Sequence, residues 1–203
     1  MSGAAVSASV VQELRLKTGA GMMDCKKALT ESQGDIEKAV EILRKKGIAS
    51  AEKKAGREAK QGSIVSYIHG GGRIGVMVEI NCETDFVARN EAFQEFSKDV
   101  AMHIAATNPA FLKRDEVPSG VLDKEKEILM AQAKEQGKPD NVIEKIVQGR
   151  VEKFYSENCL MEQPFVKNPD ITIEEYLKQT IAKVGENILV NRFVRFELGQ
   201  AAA

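Results

Sequence analysis

The stretch Ile80-Asn81-Cys82-Glu83-Thr84-Asp85-Phe86-Val87-Ala88-Arg89-Asn90 decides how this chain folds. Upstream of its connector, Val76, Val78 and Ile80 alternate with Met77, Glu79 and Asn81, the period of a strand with one buried face. Downstream, Phe93, Phe96, Val100 and Ile104 recur at three- and four-residue spacing, which is the period of a helix. The chain therefore leaves a sheet, crosses a short connector and enters a helix able to lie across that sheet. Asn90 is the expected N-cap, since its side chain can accept from a backbone N–H that the helix leaves unpaired. The connector sets an acid, a ring and a branched aliphatic side by side at Asp85, Phe86 and Val87. Spacing alone favours Phe86 and Val87 tucked under the helix, with Asp85 in a turn hydrogen bond, because most apolar connector residues serve packing. A connector that bulged outward would instead present a charged, apolar tip.

With 203 residues, 43% hydrophobic and 29% charged, the chain has room for one ordinary domain or two small ones. Its 29 Lys and Arg balance 30 Asp and Glu, which leaves no field for holding a polyanion and disfavours nucleic acid as the main ligand. The cysteines, Cys25, Cys82 and Cys159, are odd in number and far apart, and none forms a Cys-x-x-Cys pair. They read as reduced, buried thiols. The start, Met1-Ser2-Gly3-Ala4-Ala5, has no basic residue followed by a long apolar run, so no signal peptide is expected. No stretch approaches the ~20 apolar residues that span a bilayer. The expectation is a cytoplasmic protein with no membrane contact.

Residues 1–8 are small and read as a disordered tail. Three short helices can be drawn over 9–47. Val10, Val11 and Leu14 mark the first, which ends at Thr18-Gly19-Ala20-Gly21. Met22, Cys25, Ala28 and Leu29 mark the second, closed by Gly34 at its C′ position. Asp35 caps the third, with Ile36, Ala39, Val40 and Leu43 on one face and Gly47 at its end. The expected product is a minimal bundle of modest stability. Of Met22 and Met23, which point about 100° apart on a helix, one is expected in the core and the other exposed. Residues 48–62 carry Lys53, Lys54, Arg57 and Lys60 interleaved with Glu52 and Glu58, the pattern of a solvated helical linker rather than a nucleic-acid grip. Residues 63–200 then form the core domain.

That domain opens with a hairpin, Ile64 to His69 out and Ile74 to Asn81 back, across Gly70-Gly71-Gly72-Arg73. Gly70, Gly72 and Gly75 match Gly-x-Gly-x-x-Gly formally. The dinucleotide fingerprint, however, needs a helix after the glycines, and a second strand follows here. Helices are expected from Asn90 to Thr107, Ser119 to Gln136 (stopping at Gly137-Lys138-Pro139) and Asp140 to Tyr155, the last with Val142, Ile143, Ile146, Val147 and Val151 as its buried stripe. A loop from Cys159 to Pro169 follows. Thr172-Ile173-Glu174-Glu175 is a capping box opening a helix to Val184. Ile188 to Leu198 reads as a strand with Val190, Val194 and Phe196 on one face. The fold class is α+β: a three-helix bundle, then a small three-stranded antiparallel sheet covered by helices. So small a sheet has edges and a face to manage, which makes self-association an expected device.

No catalytic constellation emerges and no cofactor or metal is expected. Neither His69 nor His103 stands in a nucleophile motif, and there is no His-Glu-x-x-His helix. His103 reads as structural, and His69 as either incidental or a partner contact.

The segment from Leu14-Arg15 through Thr18-Gly19-Ala20-Gly21-Met22-Met23-Asp24-Cys25-Lys26-Lys27-Ala28-Leu29 resembles the start of the bacterial elongation factor Ts family. Asn81 to Arg89 resembles that family's signature connector. The likeness continues through His69-Gly70, Arg73-Ile74-Gly75-Val76, Gln163-Pro164-Phe165-Val166 and Gly185-Glu186-Asn187-Ile188, covering nearly the whole chain. The resemblance implies a first domain similar to ubiquitin-associated domains and a core domain for dimerisation and exchange. It implies a non-enzymatic activity, guanine nucleotide exchange on elongation factor Tu during translation. Thr84, Asp85, Phe86 and Val87 would insert beside the partner's nucleotide site and disturb its magnesium. Arg15, Met22, Met23 and His69 match further partner contacts. Longer members carry two core subdomains and a coiled-coil extension; this chain is similar to short members, for which a homodimer and a 2:2 complex are implied. The rival expectation is an adaptor or ribosome-associated module that uses the three-helix domain alone.

Overall fold

The alternation of Val76, Val78 and Ile80 becomes a strand because one face of that segment is sealed: these three side chains and Cys82 are buried in the computed structural model, which describes residues 6–135 and 139–200. Of the expected tail at 1–8, residues 1–5 lie outside the described residues, while Ser7 caps the first helix and Ala8 begins it; of the expected helix end at Gln136 and stop at Gly137-Lys138-Pro139, only Pro139 is described. The chain forms two compact units. The first takes the chain up to Val65 with Glu79–Lys98 and Glu175–Asn191; the second takes Ser66–Val78, Asp99–Glu174 and the chain from Arg192 on.

The first unit begins with helices α1 (Ala8–Thr18), α2 (Met22–Glu31) and α3 (Ile36–Glu52). They pack on one another around Val11, Leu14, Cys25, Ala28, Leu29 and Ala39. Asp35 caps α3 as expected. Its side chain accepts from the Lys38 N–H at 3.1 Å, and that bond with the nearby Lys38 ammonium holds the carboxyl below its usual range. Two local expectations fail. At the end of α2 the C′ position belongs to Gln33 (φ 57); Gly34, also at positive φ (90), comes one residue later and its N–H closes the turn onto the Leu29 carbonyl at 2.8 Å. Gly47 does not end α3 either. The helix runs on to Glu52, and Gly47 faces Ala182, where an added Cβ would lie 3.3 Å from the Ala182 methyl. The glycine permits a close helix approach rather than a stop. The segment 48–62 is accordingly helical only at its start.

Strands β1 (Gln61–His69), β2 (Ile74–Cys82) and β5 (Ile188–Glu197) form the sheet in the order β1-β2-β5. In the first unit β1 begins at a tight crossing: Gly62 has φ 140, and a Cβ there would meet the Ile80 carbonyl oxygen at 2.1 Å. Between β2 and β5 run α4 (Asp85–Ala88), a single turn, and α5 (Glu91–Thr107). Asn90 caps α5, its Oδ1 accepting from the Ala92 N–H at 2.9 Å. Phe93 and Phe96 are fully buried, and Phe96 meets the Tyr176 ring of α8 (Ile173–Val184) edge-on with centroids 5.1 Å apart.

In the second unit Gly70–Arg73 turn the hairpin and Leu198 donates to the Arg73 carbonyl at 2.8 Å, so β5 ends beside the start of β2 and runs antiparallel to it. Val194 and Phe196 do not share a buried face with Val190. Burial along β5 changes phase at Asn191 and Arg192, two successive exposed residues, after which the even-numbered side chains stand in solvent. Helices α6 (Ser119–Glu135) and α7 (Asp140–Asn158) pair around Leu129, Ala133, Ile143, Val147 and Val151. Of the expected stripe on α7, Val142 is exposed and Ile146 only half-buried. Arg114 binds Glu152 and Glu162 together and lies 4.5 Å over the Tyr155 ring, a charge-assisted clamp that carries its pKa upward. The Cys159 thiol is pushed by burial up to about 11, the inert form expected of an enclosed cysteine.

The expected loop at 159–169 contains a small hairpin, β3 (Pro164–Phe165) with β4 (Asn168–Thr172). It is held by a buried polar network that no local spacing reveals. His103 Nε2 lies 2.9 Å from Gln163 Oε1, His103 Nδ1 accepts from the Val166 N–H at 3.3 Å, and Gln163 Nε2 donates to the Glu157 carbonyl at 2.7 Å. This pattern requires a neutral imidazole with its proton on Nε2. Burial holds the His103 pKa below its ordinary value of 6.5, against the smaller opposing effect of the Gln163 bond. The unfolded chain therefore takes up a proton first as pH falls past 6.5, and stability present above that pH is lost below it. Thermal unfolding followed across this range should fall more steeply on the acid side for the wild type than for His103→Gln; equal slopes would remove His103 from the balance.

Candidate partner-binding site

Thr84 is extended (φ −129, ψ 156) and caps the α4 turn, its Oγ1 accepting from the Val87 N–H at 3.4 Å. The turn explains how the connector divides its two apolar side chains. Neighbours on a helix point about 100° apart, so seating one inward turns the other out. Val87 is buried at 8% exposure, while Phe86 stands at 80%. The expectation that both would tuck under the helix is correct for Val87 and wrong for Phe86. Asp85 makes an ion pair with Arg89 one turn on, at 3.0 Å, with both side chains largely in solvent.

Beneath the ring the backbone is anchored. The Glu186 carboxylate takes both donors of Thr84, the N–H at 3.0 Å and the hydroxyl at 2.8 Å. The Cys82 thiol donates to the Thr84 carbonyl at 3.1 Å, and burial first, then the Glu186 charge, raise its pKa and keep it protonated. Reciprocally, Glu83 accepts from the Asn187 N–H at 2.6 Å and lies 3.5 Å from the Arg57 guanidinium, while Asn187 Nδ2 donates to the Arg57 carbonyl at 2.8 Å. Asn187 is fully buried and its Oδ1 has no partner.

In the same unit the corner between α1 and α2 carries Arg15, Met22 and Met23, all exposed. Neither methionine fills the bundle core, contrary to expectation: Cys25, Ala28 and Leu29 occupy it, and Met23 is 63% exposed. Leu16, unremarked in the sequence, stands beside Arg15 at 82% exposure. Gly19 makes the corner possible, closing α1 in the left-handed conformation (φ 67) with its N–H on the Arg15 carbonyl. His69 belongs to the second unit. It is exposed and stacks on Tyr67, whose hydroxyl lies 3.1 Å from its Nδ1. Among the described residues no three His, Cys, Asp or Glu side chains gather as metal ligands would, and no helix is long and apolar enough to cross a membrane.

Comparison of the whole chain with known proteins shows its family. The family model for elongation factor Ts matches residues 7–200. The chain is 61% identical over 198 residues to elongation factor Ts of Carboxydothermus hydrogenoformans, covering 98% of this chain and 91% of that protein. It is 61% identical to the Geobacter sulfurreducens protein of the same name (96% and 90% covered), and 60% identical to that of Thermoanaerobacter pseudethanolicus (96% of each). The chain belongs to the elongation factor Ts family.

The sequence picks out this connector but places Phe86 under the helix, and it does not show Glu83, Glu186 and Asn187 as its anchors. Gly185-Glu186-Asn187 carried only a turn signal, and nothing local tells which distant backbone a turn carboxylate will reach. The division of the connector is testable by stability. Phe86→Ala should leave the unfolding free energy within about 0.5 kcal/mol of wild type, whereas Val87→Ala should lower it by about 1–3 kcal/mol. Denaturant unfolding of the two variants checks both, and a reversed order would contradict the placement of the two side chains.

Proposed function

We propose that this chain is a guanine nucleotide exchange factor for elongation factor Tu, promoting GDP release by inserting the Thr84–Val87 turn beside the partner's nucleotide and magnesium site during translation elongation. Family membership supports the activity, and the observation that carries the mechanism is a large ring held in water on a short, anchored turn. An apolar side chain kept exposed on well-ordered backbone stands ready for burial in a partner. No bond is made or broken in such a reaction. A factor that binds the nucleotide-free GTPase more tightly than the loaded one weakens nucleotide binding by the same factor, because the cycle closes. Phe86 supplies the wedge. Asp85 acts locally on the magnesium shell, and Thr84 and Val87 hold the turn's shape. Burying one such ring is worth roughly 1.5–3 kcal/mol, with each 1.4 kcal/mol a tenfold change in affinity.

Arg15, Met22 and Met23, together with His69, supply further contacts with the same partner. The corner of α1 and α2 is the stronger support, since three apolar side chains, Leu16, Met22 and Met23, gather on short helices whose core is already filled. Phe86→Ala should slow stimulated GDP release by roughly ten- to a hundredfold, and Arg15→Ala or Met23→Ala should instead weaken binding while the rate at saturation persists. Stopped-flow release of labelled GDP from elongation factor Tu separates the two behaviours; release at wild-type speed with Phe86→Ala would sink the wedge.

A homodimer, forming a 2:2 complex with the partner, is supported by the apolar face of the sheet in the second unit. Ile68, Met77, Val194, Phe196 and Leu198 are all exposed there, Phe196 at 64%. An apolar sheet face in solvent is most simply satisfied by a second copy of itself across a two-fold axis. Light scattering should give twice the chain mass for the wild type and the single chain mass for Phe196→Glu. A monomeric wild type would refute the dimer.

A further inference from the structure

We infer that Glu186 is a positioning residue for exchange: through Thr84 it sets the conformation of the turn that presents Phe86. The inference rests on the proposed role of Phe86. Its basis is the division of labour around Thr84. The hydroxyl has one proton to give, and it gives it to Glu186 Oε1 at 2.8 Å, which leaves an oxygen lone pair to receive the Val87 N–H. The N–H of Thr84 goes to the other carboxylate oxygen at 3.0 Å. The two donors take one carboxylate oxygen each, an arrangement an amide cannot reproduce because one of its two positions is itself a donor. In Glu186→Gln one amide position would turn its own N–H toward a donor. In Glu186→Ala the hydroxyl would be free to rotate, and the cap on α4 would no longer be directed.

Other contacts at the turn do not substitute for this one. The Asp85–Arg89 pair lies largely in solvent, where such pairs contribute little. The Cys82 thiol is a weak donor and touches only the carbonyl side of Thr84. Glu83 reaches back to the Asn187 N–H and so fixes the β5 side of the arrangement. Glu186 is therefore the one side chain from the α8–β5 turn that grips the connector's own backbone, by charge-assisted bonds that are stronger than neutral ones. It need not touch the partner to matter. A ring on a turn that samples several conformations pays the ordering entropy on insertion, and preorganisation removes that penalty.

The test is a double-mutant cycle in the full-length protein. Glu186→Ala and Glu186→Gln are each made in the wild-type and Phe86→Ala backgrounds, and stopped-flow GDP release from elongation factor Tu is recorded against factor concentration. Glu186→Ala should lower the maximal stimulated rate about tenfold, with Glu186→Gln between it and wild type. The half-saturating concentration should stay within about twofold, because the contacts of the α1–α2 corner are untouched, and in the Phe86→Ala background the further loss should also be within about twofold. In the free variants, amide exchange at Thr84 and Val87 should be faster while the rest of the unit keeps its protection. Should Glu186→Ala fail to fold, Glu186→Gln, which keeps the side-chain volume, carries the test. A wild-type rate in both Glu186 variants, or an equal loss with and without Phe86, overturns the positioning role and leaves the Phe86 reading standing. A wild-type rate in Phe86→Ala overturns that reading itself, and the inference with it.

Discussion

A phenylalanine can be kept in water only if the backbone beneath it is denied the conformations that would bury the ring. In this chain the denial is a single helical turn pinned on both flanks: Val87 inserted below, Thr84 capped above, and the Thr84 backbone tied to a carboxylate 102 residues further along. Most of what surrounds the connector in the first unit serves that constraint. Strand β2 delivers the chain with Ile80 and Cys82 buried, α5 takes it away under an Asn90 cap, and the α8–β5 turn supplies the grip.

The second unit solves a different problem with the same kind of device. Its small hairpin at 164–172 has too few residues for a core of its own, and a buried histidine and glutamine hold it by bonding to backbone groups that would otherwise be orphaned. Buried polar networks of this kind are rigid when every member is satisfied, and they are the first element to fail when one changes charge. The apolar sheet face in the same unit has the opposite character, being unspecialised surface that is energetically incomplete without a cover.

Much of the fold was legible from local pattern. The period-2 and helical spacings, the Asn90 and Asp35 caps and the glycine-rich hairpin turn each depend on contacts a few residues apart, and each appears where the pattern puts it. The misreadings share a cause. Gly47 looked like a helix stop because glycine commonly is one; its actual use, a close approach to Ala182, depends on a helix far away in sequence. Met22 and Met23 were divided between core and surface on geometry that holds for any helix, but three other side chains had already filled the space. The burial of Val190 does not extend along β5 to Val194 and Phe196, and no composition announces where it ends.

The sequence by itself determined most of the elements and their order, the family, and the connector that sets Asp85, Phe86 and Val87 side by side, because those are encoded in periodicity, caps and motif residues that act over short range. Tertiary structure alone decided which of Phe86 and Val87 faces water, which carboxylate anchors the turn, and which face of the last strand is open. Those outcomes turn on pairings across scores of residues, where many partners satisfy the same local chemistry and only the assembled packing selects one.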